Sequence, residues 1–182
     1  MLTKNINFKK FKLKKNNKKI KKDLNIILKE NNTILKSLSS TYKNSYSKAT
    51  ILRLKKYSYI RVIGMGGSIL GTESIYNFLK KKIKKNFYFN NNLQPKITLH
   101  NKKKILNLVV SKSGNTLETI SNANVIIKND SKNIFITQNK DSYLYLLANK
   151  LKAEIIHHNN FIGGRYSVLS EVGMLPAELM GL

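Results

Sequence analysis

The apolar positions of this chain change their spacing near residue 57. Before it, Leu24, Ile26, Ile27, Leu28, Ile34, Leu35 and Leu38 are sparse, set among lysines at partly helical intervals. That spacing predicts one or two amphipathic helices, with a bare basic tail as the alternative. Residues 1–56 offer so little apolar surface that this leader is expected to lean on the following domain or on another segment.

From residue 57 to 182, short β-rich runs alternate with helical stretches, the pattern of a βαβ series around a parallel sheet. Residues 59–63 (YIRVI) read as the first central strand. A helix is expected over 74–85, with Ile75, Phe78, Leu79 and Ile83 apolar. A weak edge strand is expected at 97–99 and a strong buried one at 105–110. A helix follows over 116–128, its apolar face given by Leu117, Ile120, Val125 and Ile127, then a strand at 133–137. The run closes with a helix at 142–150, a strand at 154–157 and a last helix from about Ser167, carrying Val168, Leu169, Val172, Leu175 and Leu179. The expected fold is a three-layer, doubly wound α/β domain without internal repeats, preceded by a basic helical leader. The end at Met180-Gly181-Leu182 follows an apolar run with no evident helix stop, and the expectation is a domain truncated there.

Composition changes this picture little. A length of 182 residues suits one domain plus an appendage. Thirty-four Lys and Arg against nine Asp and Glu give a net charge of +25, which would attract polyanions at low salt. Lys and Asn are abundant on every kind of segment, as a coding bias toward A- and T-rich codons would produce, so nucleic acid is not the expected partner. There is no cysteine, hence no disulfide or thiolate metal site. The start lacks an apolar signal-peptide core, and no stretch approaches the ~20 apolar residues of a membrane span. A soluble, cytoplasmic protein is expected.

Three loops carry candidate chemistry. Gly64-Met65-Gly66-Gly67-Ser68-Ile69-Leu70-Gly71 lies where a strand hands over to a helix, where glycines allow close backbone approach to a ligand. Ile69 breaks the dinucleotide fingerprint, and no Gly-Lys-Ser/Thr ends the loop as a nucleotide P-loop requires. A plain tight turn is the alternative. Ser111-Lys112-Ser113-Gly114-Asn115-Thr116 again joins an apolar strand to a helix. Its hydroxyls, free N–H groups and positive helix end suit a phosphate dianion. The alternative is a capping cluster led by Thr116, with Glu118 in the first turn. In Phe161-Ile162-Gly163-Gly164-Arg165-Tyr166-Ser167, Arg165 is one of three arginines, with Arg53 and Arg61. Its planar, permanently charged fork can steady an oxyanion, or it pairs with a nearby carboxylate. His157-His158 adjoins a strand end and reads as structural, because neighbours on a strand face opposite ways.

Together the loops resemble a known family. The middle one is similar to the Ser-x-Ser-Gly-x-Thr loop of sugar isomerase (SIS) domains; the Gly64 loop and Gly163-Gly164-Arg165-Tyr166-Ser167 resemble the glycine loop and signature of phosphoglucose isomerases. The resemblance covers about residue 57 to the end. Gly114-Asn115 and Glu171 depart from it, the latter standing where a small residue is usual.

The resemblance implies interconversion of glucose 6-phosphate and fructose 6-phosphate through an enediolate, a step of glycolysis and gluconeogenesis. It implies that Ser68, Ser111, Lys112, Ser113 and Thr116 hold the phosphate, that Gly64, Gly66, Gly67, Gly163 and Gly164 shape the supporting loops, and that Arg165 steadies the enediolate. Glu118 becomes a supporting residue behind them. It implies a phosphosugar substrate, a homodimer and no metal or organic cofactor, since side-chain acids and bases suffice for proton transfer. The family's proton-transferring glutamate, ring-opening histidine and late lysine fall outside these 182 positions. A stand-alone phosphosugar-binding module and a leader-driven nucleic-acid binder are the competing readings.

Overall fold

In the computed structural model, residues 17–30, 32–93, 104–128 and 131–182 are described. The strand expected at 97–99 lies outside them. Five parallel strands form one sheet in the order β2-β1-β3-β4-β5: β1 Tyr59–Gly64, β2 Asn86–Asn90, β3 Ile105–Val110, β4 Lys132–Thr137 and β5 Glu154–His157. Helices α1 Lys18–Lys29, α2 Thr33–Lys36 and α3 Lys48–Leu54 precede the sheet; α4 Leu70–Leu79, α5 Leu117–Ile126, α6 Tyr143–Lys150 and α7 Glu171–Met180 follow its strands.

The strands are near-continuous apolar runs because helices cover both faces. Ile60, Val62, Leu106, Leu108, Ile134, Ile136 and Ile156 pack with Ile51 and Leu54 of α3 and Val172, Leu175 and Leu179 of α7. On the other face Ile63, Val109 and Phe135 meet Ala123 and Ile126 of α5 and Leu144 and Ala148 of α6. These are the three layers expected from the alternation.

The sheet also carries a buried polar row. Arg61 pairs in register with Asn107, and Asn107 with Asn133; the Asn107 Nδ2 donates to Asn133 Oδ1 at 2.9 Å. Among the described residues, Nε and Nη2 of the buried Arg61 have no hydrogen-bond partner.

Several elements differ from the reading of the sequence. Strand β2, at one edge of the sheet, follows directly on the lysine run that suggested a helix continuing to 85 and had no counterpart in the sequence reading; in it Phe87 is buried and Tyr88 and Phe89 are half-buried. Helix α4 begins at Leu70 rather than Ser74, with Gly71 inside it, because a Cβ on Gly71 would stand 2.7 Å from Val168 Cγ2. The last helix starts at Glu171: residues Gly164–Leu169 form a 3-10 stretch, and Ser170 caps α7. That helix does have a stop, Gly181 at φ +91°, where the Leu182 amide returns to the Ala177 carbonyl at 3.2 Å. Leu117, Val125 and Phe78, expected to face inward, are exposed.

The leader divides. Helix α1 buries none of its residues, whereas α3 is held in the core and its Arg53 forms an ion pair with Glu154 of β5.

Candidate functional site

In an open parallel sheet, a crevice forms where successive connections leave on opposite sides. Here β1 lies between β2 and β3, so the crevice falls at the carboxyl ends of β1 and β3. Gly64 and Val110 are register partners there. The Gly64 and Ser111 loops therefore emerge side by side.

The 111–116 loop is held from several sides. Ser111 is buried, and its amide bonds the Ile136 carbonyl at 3.1 Å. Lys112 is fixed by its carbonyl, which accepts from the Gln138 amide at 3.2 Å. Gly114 adopts φ +69°, and a Cβ on it would lie 2.1 Å from Ser142 Oγ, so this position excludes a side chain. Asn115 Oδ1 accepts from the Tyr143 amide at 2.8 Å, tying the loop to the first turn of α6.

Thr116 occupies the N-cap of α5, yet its side chain makes no capping hydrogen bond. Its hydroxyl lies 2.9 Å from Ser111 Oγ instead. The capping alternative thus describes where Thr116 sits but not what its hydroxyl does. Helix termini leave the first amides without intrahelical partners, so the loop offers hydroxyls together with the positive end of α5. Ser113 is exposed, its Oγ accepting from the Asn115 amide at 3.2 Å; Glu118 is half-buried in the first turn.

The Gly64 loop packs against the Arg165 segment. Residues Gly66–Ser68 form a 3-10 turn ending in the buried Ser68. A Cβ on Gly67 would meet the Gly164 carbonyl oxygen at 2.2 Å. Ser167, fully buried, donates to the Gly164 oxygen at 2.7 Å and stands 3.3 Å from the Gly67 oxygen. Gly163 precedes this stretch in extended backbone. The structure thus joins the first loop to both others. Among the described residues the exposed Arg165 side chain has no ion-pair or hydrogen-bond partner, so the carboxylate-pairing alternative is not what is seen.

His158 is fully buried just beyond β5, with Nδ1 3.2 Å from the Asn159 carbonyl oxygen. Burial holds its imidazole below the ordinary value of 6.5. Glu171 is likewise fully buried; its carboxylate accepts from the Tyr42 hydroxyl and the Asn159 amide, each at 2.9 Å. The local packing that Glu171 left open in the sequence is therefore resolved by these two donors. Tyr42 carried no sequence signal, since its partner lies 129 residues away. Among the described residues no three His, Cys, Asp or Glu side chains cluster as a metal site would require, and no helix is long and apolar enough to cross a membrane.

Comparison with known proteins bears on this arrangement. The family model described as phosphoglucose isomerase matches residues 8–181. A glucose-6-phosphate isomerase of Methanocaldococcus jannaschii is 38% identical over 143 residues, covering 71% of this chain and 34% of that protein. The chain spans about a quarter to a third of the length of the curated relatives it matches. Among solved structures, a hypothetical protein of Thermus thermophilus superposes with a TM-score of 0.66 at 23% identity, over 90% of this chain and 43% of that one. The tagatose-6-phosphate ketose/aldose isomerase of Escherichia coli does so with a TM-score of 0.55 at 17% identity, over 71% of this chain and 40% of that one. These structural likenesses concern the fold.

Proposed function

The chain belongs to the phosphoglucose isomerase family, and from that premise we propose that it supplies the phosphate-holding part of an aldose-ketose isomerase acting on glucose 6-phosphate and fructose 6-phosphate. The observation that carries the proposal is the Ser111–Thr116 hydroxyl pair at the uncapped head of α5, set beside the Gly64 loop at the switch point of the sheet.

In this reading the phosphate oxygens take hydrogen bonds from the hydroxyls of Ser68, Ser111, Ser113 and Thr116, from the Lys112 backbone and from first-turn amides of α5. The dianion also gains from the helix dipole. The sugar then extends toward the junction of the two glycine loops, where Arg165 has no competing carboxylate. Moving a proton between C2 and C1 builds negative charge on the enediolate oxygen. The permanently charged Arg165 guanidinium, free of a competing carboxylate among the described residues, stabilises that charge. Glu118 supports the loop from the first turn of α5.

So read, the described residues supply an anchor and an oxyanion stabiliser, and among them none is assigned the role of proton-transferring base. The 182-residue chain alone is therefore expected to bind fructose 6-phosphate without converting it. Calorimetry with fructose 6-phosphate and with fructose, beside a coupled isomerase assay, tests this. Binding that requires the phosphate, with no turnover, is expected; equal binding of fructose, or turnover at the rate of an ordinary isomerase, contradicts it.

A further inference from the structure

Glu171 stands out among the described acidic residues because it is fully buried. Carboxylates are rarely buried unless each oxygen finds a donor. Here both do: Oε2 accepts from the Tyr42 hydroxyl and Oε1 from the Asn159 amide, each at 2.9 Å. Both donors are neutral, and the position at the start of α7 adds the positive end of that helix.

The two donors come from separate parts of the chain. Tyr42 belongs to the leader; Asn159 begins the run that leaves β5 and leads to Arg165. That run is a chain of turns, with the Ile162 amide on the Asn159 carbonyl at 3.2 Å and the Tyr166 amide on the Gly163 carbonyl at 2.9 Å. Ile162 is fully buried between them. At the far end, Gly164 abuts Gly67 and Ser167 bonds the Gly164 oxygen. Arg165 is thus displayed from a segment anchored at both ends, and Glu171 makes the near anchor.

We propose that Glu171 is a positioning residue, its carboxylate tying Tyr42 of the leader to Asn159 and so fixing the 159–165 run that presents Arg165 to a phosphosugar. This rests on the function proposed above. The leader gains a defined role through Tyr42, although α1 itself buries nothing.

The test compares two ligands on the full 182-residue chain. Inorganic phosphate reports the 111–116 loop, while fructose 6-phosphate reports that loop together with the Arg165 side. Glu171→Gln and, as the milder change, Tyr42→Phe should each weaken fructose 6-phosphate binding about tenfold. Each should leave inorganic phosphate within about twofold. Because the two residues act through one hydrogen bond, the double variant should be hardly worse than the weaker-binding single one. If the wild-type chain binds but Tyr42→Phe weakens neither ligand, or both equally, the positioning role is overturned while the functional reading stands. If the wild-type chain binds no fructose 6-phosphate, the functional reading fails first and takes this role with it.

Discussion

Gly67 lies so close to Gly164 that a Cβ on Gly67 would stand 2.2 Å from the Gly164 carbonyl oxygen. The contact joins two loops almost a hundred residues apart, and the atom in the way is backbone, which cannot rotate aside. Close approach here needs Gly67 to lack a side chain.

Gly67→Ala should therefore force the loops apart, at a cost of about 1–3 kcal/mol as for other overpacked sites. For a chain of this size that lowers Tm by roughly 2–4 °C per kcal/mol. Thermal unfolding followed by circular dichroism measures it. Gly66→Ala is the control, since nothing lies within 4 Å of a Cβ there, although its φ of +53° adds a smaller backbone strain. Equal stability of Gly67→Ala and wild type would show that the loops do not meet.

Arg61 makes the opposite case, a residue whose removal should help. Burial lowers its pKa to about 10, which still leaves it charged at neutral pH, and two of its nitrogens find no partner among the described residues. A buried charge without compensation costs more than a hydrophobic side chain of similar volume. Arg61→Met should raise stability by about 1–3 kcal/mol, read from the midpoint of urea unfolding. A lower midpoint would mean that the guanidinium is compensated in solution.

Two titrations should bracket the stable range. The folded pKa of His158 is depressed by burial, so its contribution is fully present above 6.5 and is lost as pH falls through the folded value. Tyr42 is shifted the other way, up to about 12, by burial and then by its hydrogen bond to Glu171. Its contribution is complete below 10 and disappears as pH rises through about 12. His158→Leu should show a shallower loss of Tm than wild type as pH falls from about 7 to about 5, and Tyr42→Phe a shallower loss above about pH 10. Parallel curves for wild type and either variant would show that the residue does not set that edge of the range.

Four of the five strands were legible in the chain because strands covered on both faces are continuous apolar runs: β3 and β5 lie where the spacing puts them, β1 and β4 differ by one residue, and β2 at the edge was not foreseen. Helix starts were less so. Gly71 and Gly173 sit inside helices because Val168 packs against both, which no local propensity reveals. The loops themselves were visible as residue types, glycines and hydroxyls where a strand gives way to a helix, a pattern that turns and caps also use. Its long-range ties were not. The bonds from Tyr42 to Glu171 and from Tyr143 to Asn115 depend on the fold having already brought distant segments together.

Everything proposed for this chain depends on the loop from Ser111 to Thr116 receiving the phosphate. Titrating the isotope-labelled chain with fructose 6-phosphate and following the backbone amides by NMR, at moderate salt to screen the +25 charge, tests it most directly. The largest shifts should fall on Ser68, on residues 111–116 and on the first turn of α5, and they should vanish in Thr116→Val. Shifts concentrated instead on the lysines of α1, fading as salt rises and unchanged by Thr116→Val, would contradict it.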